Sequence, residues 1–153
     1  MYDTDKIVFD SERIMELIPH RQPALLVDKI ISFEDNSIVG VKKLNVGDSY
    51  FNGHFPTEPI LPGVLQMEAI AQVAAILCVC VQDVPTNYNT YLVRLDESRF
   101  RKKVLPGDTM VIVCELIERL PRDLFVLKGK VFVNDALASE TKLVAKVSKK
   151  NDA

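Results

Sequence analysis

One long apolar run constrains the fold of this chain more than any other feature. Residues 62–82 have the sequence PGVLQMEAIAQVAAILCVCVQ, and at about 1.5 Å per residue they form a helix about 30 Å long. The part from Val64 to Val81 is long enough to span a bilayer. It carries Gln66, Glu68 and Gln72, however, and lacks flanking basic residues. We therefore expect a helix buried in a protein core and no membrane span.

Strand-like segments flank this run on both sides. Residues 24–34 and 37–46 are rich in branched side chains and are separated by an Asp-Asn turn, which predicts a β-hairpin. After residue 89 the pattern is that of strands, separated by the turn sequences PGD, PRD and ND. The predicted strands are TYLVRLD, ESRFRKKV, TMVIVCELIERL, LFVLKGKVFV and ALASETKLVAKV.

The last of these strands indicates how the sheet is placed. Its apolar residues Leu143, Ala145 and Val147 alternate with Lys142 and Lys146, so one face of the strand is in solvent. We therefore predict an α+β domain in which an antiparallel β-sheet wraps around one long central helix. A short helix capped by Ser11 precedes the hairpin, and the proline-rich residues 47–61 are predicted to be a loop.

The overall composition fits one soluble domain. The chain has 153 residues, and 48% of them are hydrophobic, so residues 1–153 are treated as one unit, with residues 1–10 and 148–153 expected to fray. A net charge of −2 gives no general attraction to nucleic acid. The N-terminus lacks the pattern of a secretory signal, and three unpatterned cysteines indicate reduced thiols, hence a cytoplasmic location.

Glu68 is the first candidate for chemistry. On a helical wheel it lies close to Gln72 and to Val64, Ala75 and Val79, so it falls within an apolar stripe. Burial there would raise the pKa of the carboxyl group, which is useful for a proton donor near neutral pH. The alternative is that Glu68 points to a solvated edge or binds a backbone group.

His54 and the start of the long helix are the second and third candidates. Gly53 and the neighbouring prolines fix the loop around His54, and a rigid loop can hold a base in place. Leu61 is a poor N-cap for a helix that starts at Pro62 and Gly63. The first amides are therefore available to an oxygen that becomes negative during a reaction, unless Glu58 or its neighbour Thr57 folds back to cap them.

Together the three groups are typical of an elimination of water β to a carbonyl. His54 would take a proton from carbon, the Gly63 N–H would hold the enolate oxygen, and Glu68 would protonate the leaving hydroxyl. His20 is interpreted as a structural loop residue. No His and Cys spacing predicts a metal site, and the glycines form no phosphate-binding loop.

A basic run interrupts the acidic chain after residue 98. Arg99, Arg101 and Lys103 are predicted to share one strand face, and Lys102 lies between them. The ordinary interpretation is a solvated strand face. The functional interpretation is a docking surface for an acidic partner.

Three ordered segments carry a resemblance to a known family. PHRQPALLVDKI, YFNGHFPTEPILPGVLQMEAIAQ and LDESRFRKKVLPGD resemble the signature segments of the bacterial 3-hydroxyacyl-(acyl carrier protein) dehydratases, which have the hot-dog fold. The resemblance extends from about Ile14 to Val147. It implies a dehydratase of fatty acid biosynthesis, with no cofactor.

The resemblance also implies roles for individual residues. The family's catalytic histidine falls on His54, its catalytic glutamate on Glu68, and the amide that polarises the thioester carbonyl on Gly63. The dehydratase-isomerase branch usually has Asp where this chain has Glu68, which favours plain dehydration. Supporting positions in the same motif are Gln72, Phe55 and Val64.

The implied partners are an acyl carrier protein and further copies of the chain. The substrate would arrive on phosphopantetheine, which favours the docking interpretation of Arg99, Arg101, Lys102 and Lys103. In this family the His and Glu of one site come from different subunits of a homodimer, and dimers commonly form a trimer of dimers.

Some residues depart from the family pattern, and three further functions stay open. Thr57 stands where the family usually has Gly, Gln22 and Ala24 replace aromatic surroundings, and Lys103 replaces a common proline. These changes leave chain-length preference open and allow a dehydratase of a specialised lipid or polyketide pathway. The second open function is a hot-dog thioesterase, in which Glu68 activates water, and the third is a non-catalytic acyl-binding module.

Overall fold

The structure is a computed structural model, and it describes residues 2–150. Within these residues the chain forms two α-helices and six β-strands. In chain order they are α1 (Ser11–Leu17), β1 (Lys29–Glu34), β2 (Ser37–Lys43), α2 (Gly63–Cys80), β3 (Tyr88–Phe100), β4 (Thr109–Leu120), β5 (Leu124–Val133) and β6 (Ala136–Lys149). Short 3-10 turns lie at Ser49–Phe51 and Pro85–Asn87.

The strands form one antiparallel sheet around α2. The strand order is β1-β2-β4-β5-β6-β3, and each neighbouring pair is antiparallel. α2 contacts every strand from β2 to β6. The predicted α+β architecture, an antiparallel sheet wrapped around one central helix, is confirmed.

The sheet approaches α2 closely because two glycines face the helix. A Cβ atom at Gly129 would lie 2.1 Å from the Ile70 Cγ2 atom, and one at Gly40 would lie 2.8 Å from the Val73 Cγ2 atom. In residues 2–150, α2 is the one helix long and apolar enough to cross a membrane, with a mean hydropathy of 1.8. Since 67% of it is buried, its apolar sequence is explained by its place in the core.

Several local expectations need correction. Ser11 is the first residue of α1 and not its cap; the Asp10 carboxylate accepts the N-cap hydrogen bond from the Arg13 amide. The two strands predicted over residues 90–104 are one strand, β3, whose pairing with β6 is irregular between Asp96 and Arg99. Glu97 lies within this irregularity with a φ of 52°.

Both ends are more ordered than expected. The Val8 amide donates to the Ile30 carbonyl at 2.7 Å, and β6 continues to Lys149. Residue 1 and residues 151–153, which also belong to the ends expected to fray, lie outside the described residues.

The two edges of the sheet differ in length and exposure. β1 has 6 residues, and Phe9 bridges it at Ile30. β3 has 13 residues, and on this edge Tyr91 is 57% exposed and Val93 is 56% exposed. A long apolar edge strand is a template for pairing with another chain.

Candidate active site

Glu68 lies on α2 with two nitrogen-bearing side chains beside its carboxyl group. The Gln72 Nε2 atom donates to Glu68 Oε2 at 2.7 Å, because residues four apart share a helix face. The His20 Nε2 atom lies 3.5 Å from the same oxygen. The Glu68 side chain is 42% exposed in the single chain, so it is less buried than the apolar stripe predicted.

Gln72 joins this carboxyl group to the segment between α1 and β1. Its Oε1 atom accepts a hydrogen bond from the Leu26 amide at 2.7 Å, and its Nε2 atom also donates to the Ala24 carbonyl at 2.9 Å. Gln72 is 1% exposed. A buried amide with all these partners is held rigidly, so its contact with Glu68 is fixed as well.

A cavity of about 240 Å³ opens beside Glu68. Small and apolar side chains of α2, β3 and β6 form much of its wall, and His20, Glu68 and Gln72 supply polar atoms. The lining residues from the three elements are Ala71, Ala75, Thr90, Tyr91, Leu92, Leu143 and Ala145. A mostly apolar cavity with a few polar groups is the usual form of a small-molecule site.

His54 lies in the loop before α2 and is not among the residues that line this cavity. Its Nδ1 atom is 3.2 Å from the Ile60 carbonyl oxygen, and its ring stacks on Phe55 with the centroids 4.1 Å apart. The loop closes on itself because the Ile60 amide donates to the His54 carbonyl at 2.9 Å. Gly53 precedes His54 with a φ of 81°, a backbone angle that favours glycine.

The start of α2 presents its first amides without a side-chain cap. Pro62 is the N-cap residue and makes no side-chain capping hydrogen bond. Glu58, one of the two residues considered as a cap, forms an ion pair with Lys103 instead. The ring of Phe100 lies against Gly63, where a Cβ atom would be 2.7 Å from Phe100 Cε1. Val64, expected to support the site, is 73% exposed.

The basic run is divided between two surfaces, contrary to the predicted common strand face. β3 ends at Phe100, so the later residues of the run follow the strand. Arg99 lines a cavity with Lys128 and Lys130 on β5. A second cavity, of about 410 Å³, is lined by Ile60, Leu61, Gly63, Gln66, Phe100, Arg101, Lys102 and Lys103.

Two of these basic residues have acidic partners within the chain. Arg101 Nε donates to Glu140 Oε2 at 2.7 Å, and this hydrogen bond holds the pKa of Glu140 below its usual value. Lys103 pairs with Glu58 and so links the segment after β3 to the His54 loop. Among residues 2–150, Lys102 has no ion pair and is exposed.

The cysteines have the properties of core residues. All three are free, and burial raises the pKa of the Cys78 thiol to about 12 and that of the Cys80 thiol to about 11. Burial raises the pKa of Cys114 as well. Such thiols are poor nucleophiles near neutral pH. Within residues 2–150, no group of three or more His, Cys, Asp or Glu side chains is arranged to hold a metal ion.

Solved structures identify the fold class. The dehydratase heterocomplex ApeI:P from Xenorhabdus doucetiae matches 91% of this chain and 93% of its own chain, with a TM-score of 0.74 and 15% identity. A thioesterase from Haemophilus influenzae matches 96% of both chains, with a TM-score of 0.69 and 14% identity. The chain therefore has the hot-dog fold, which occurs in neighbours of both names.

Sequence similarity identifies the family. Residues 18–142 match the family model described as a FabA-like domain. The 3-hydroxyacyl-[acyl-carrier-protein] dehydratase FabZ of Rickettsia akari is 39% identical over 146 residues, covering 95% of this chain and 100% of the relative. The chain belongs to the FabZ-type 3-hydroxyacyl-[acyl-carrier-protein] dehydratase family.

Some relatives are much longer than this chain. The bifunctional enzyme LpxC/FabZ of Bacteroides thetaiotaomicron is 43% identical over 142 residues, and that of Porphyromonas gingivalis is 44% identical over 140 residues. The chain spans 31% and 30% of the lengths of these two relatives.

Proposed function

We propose that this chain dehydrates (3R)-3-hydroxyacyl groups, carried as thioesters on acyl carrier protein, to trans-2-enoyl groups in fatty acid biosynthesis. Family membership supports this substrate class. The observation that carries the proposal is the Glu68 carboxyl group, which lines a mostly apolar cavity and accepts a hydrogen bond from Gln72.

The chemistry assigns one proton transfer to each of two side chains. His54 removes a proton from carbon 2 of the acyl group, and the electron pair of that C–H bond moves toward the thioester carbonyl. The Gly63 amide hydrogen-bonds the resulting oxyanion, as the partial positive charge of a helix N-terminus favours. Glu68 gives its proton to the 3-hydroxyl group, which leaves as water while the double bond forms.

This mechanism needs two copies of the chain. Neither His54 nor Gly63 is among the residues lining the cavity beside Glu68, so we infer that a second subunit supplies both. The exposed apolar edge of β3 is the surface we assign to that contact, because a second copy of β3 would pair its free backbone groups. We extend the proposal to a trimer of dimers on the basis of the family resemblance.

The carrier protein is assigned to the basic groove beside Gly63. Arg101, Lys102, Lys103 and Gly63 all line it, so a thioester that binds there would lie beside the helix start. An acidic partner gains mainly in association rate and orientation from such a groove. Arg99, also predicted to dock the carrier, lines the other cavity and would contact only a partner that extends over the sheet. We place the enzyme in the cytoplasm and treat residues 1–153 as one catalytic domain.

The test is a direct assay of the purified chain. 3-Hydroxyacyl thioesters of several lengths, on carrier protein and on a pantetheine analogue, are added without metal or cofactor, and enoyl formation is followed by ultraviolet absorbance. We expect enoyl product without release of free thiol. Thiol release from acyl thioesters that lack a 3-hydroxyl group would instead show a thioesterase. Binding without either product would show an acyl-binding module.

A further inference from the structure

His20 is a side chain that the proposed reaction does not yet use. Its Nε2 atom lies 3.5 Å from Glu68 Oε2, and it lines the same cavity as Glu68 and Gln72. This distance is longer than a normal hydrogen bond. Hydrogen bonds of catalytic groups are often long without substrate and shorten in the complex.

The backbone around His20 is held in place by its neighbour. The Arg21 guanidinium donates to the carbonyls of His20 at 2.7 Å, Ile18 at 3.0 Å and Met15 at 2.8 Å. His20 is therefore fixed between the end of α1 and the segment that Gln72 binds. Because the backbone of His20 is fixed, its side chain has a defined direction.

The contacts also assign the proton on the imidazole ring. The Nδ1 atom of His20 is buried, and among the described residues it has no hydrogen-bond partner. Buried N–H groups without an acceptor are rare in proteins. The neutral tautomer that agrees with these contacts therefore carries its proton on Nε2, which faces Glu68. The Nδ1 atom then has a lone pair and no proton.

Two N–H groups then converge on one carboxyl oxygen. Gln72 Nε2 and His20 Nε2 both face Glu68 Oε2, and within residues 2–150 no hydrogen bond is made by Glu68 Oε1. An oxygen that accepts one hydrogen bond and faces a second donor is a poor place for a proton. The oxygen that is free of these donors is Oε1.

We propose that His20 is a positioning residue for the dehydration, which with Gln72 holds Glu68 Oε2 so that the proton stays on Oε1, the oxygen that serves the substrate. This inference rests on the proposed role of Glu68 as the acid. When the Oε1–H bond breaks, the proton goes to the leaving 3-hydroxyl group, and the bonding electrons stay on the carboxylate. The two N–H donors stabilise that new charge.

The experiment compares three substitutions at this position. In His20→Gln the side-chain amide can reach the place of Nε2, in His20→Asn it reaches only the place of Nδ1, and His20→Leu has no donor. We expect kcat to fall about 10- to 100-fold in His20→Leu and His20→Asn, because losing one hydrogen bond to a charged group lowers a rate by about this factor. We expect KM to change less than about threefold, and His20→Gln to recover kcat to within about threefold of wild type.

Other results would overturn the inference. It fails if His20→Leu and His20→Asn keep kcat within about threefold of wild type, if His20→Gln loses as much as His20→Asn, or if the loss lies in KM. If His20→Leu does not fold in a thermal melt, the Gln and Asn pair decides. Glu12→Ala, at an exposed position of α1, is the control for a general disturbance.

Glu68→Gln separates this inference from the proposed function. If Glu68→Gln keeps wild-type turnover, the acid role itself is wrong, and His20 has nothing to position. If Glu68→Gln is inactive while the His20 variants are normal, the acid role stands and only the positioning role is lost.

Discussion

The helix that carries Glu68 and the loop that carries His54 are built in opposite ways. Glu68 has neighbours from its own chain, with Gln72 and His20 both facing one carboxyl oxygen. His54 has a contact to the Ile60 carbonyl and a stacked ring, Phe55, that is itself 48% exposed. Glu68 thus has polar side-chain partners on its own helix and in the segment after α1, whereas the contacts of His54 come from its own loop.

This difference shows how a small chain can build a two-residue reaction site. A single buried cavity with both groups would require the loop and the helix to face each other within one small domain. Under the proposed mechanism, two identical chains each supply one of these groups to a shared site. The proposal therefore predicts that activity depends on association of two chains, which the experiments below test.

The largest effect is expected from removing either proton-transfer group. His54→Ala and Glu68→Gln should each lower kcat by about 10²- to 10⁴-fold, the usual contribution of a general acid or base. Both variants should melt near the wild-type temperature, because both side chains are partly exposed. Steady-state assays and thermal melts measure these outcomes. Near wild-type turnover in both variants would exclude the two-residue mechanism.

The next effect comes from mixing the two inactive variants. After unfolding and refolding together, half of the dimers are mixed, and each mixed dimer has one intact site out of two, so about one quarter of wild-type activity should return. Each variant refolded alone is the control. If the mixture is no more active than its parts, the two groups do not come from different chains.

A smaller effect is expected from charging the edge of β3. Val93→Asp places a carboxylate on the exposed apolar edge, and burying it unpaired in an interface should raise the dimer dissociation constant by about 30- to 100-fold. Sedimentation across a dilution series gives this constant. Ile117→Asp, at an exposed apolar position on β4, should leave it unchanged. An equal change in both variants would place the contact elsewhere.

The smallest effect is expected at the carrier groove. Lys102→Ala should raise KM for a carrier-linked substrate about three- to tenfold, because one rim charge contributes little and mainly affects association. Turnover of a pantetheine thioester should not change. Lys146→Ala, on an exposed part of β6, is the matched control. A loss with both substrates would assign Lys102 to the reaction site and not to docking.

The central helix and the sheet could be predicted because their signals are periodic and long. The apolar run gives α2 within two residues at either end, and the hairpin of β1 and β2 follows from its turn. The division of residues 90–104 into two strands was wrong, because a bulge at Glu97 looks like a break in the alternation while the backbone continues.

The candidate site was predictable in its residues but not in its surroundings. Glu68 and Gln72 follow from helical spacing, whereas the contact between Glu68 and His20 joins residues 48 positions apart and has no periodic signal. The only feature of the sequence that indicated a role for His20 was its position in PHR, directly after the first helix. The basic run was assigned to one face because the end of β3 at Phe100 depends on tertiary packing.

The hydrogen bond between the Leu26 amide and Gln72 offers a way to observe whether the contacts around Glu68 are intact. The Leu26 amide donates to a side chain that in turn holds the candidate acid, so this proton cannot exchange with solvent while that arrangement is intact. The exchange rate of one backbone amide therefore measures how often the acid loses its support. This measurement follows the hydrogen bond between Gln72 and the segment after α1 and needs no substrate.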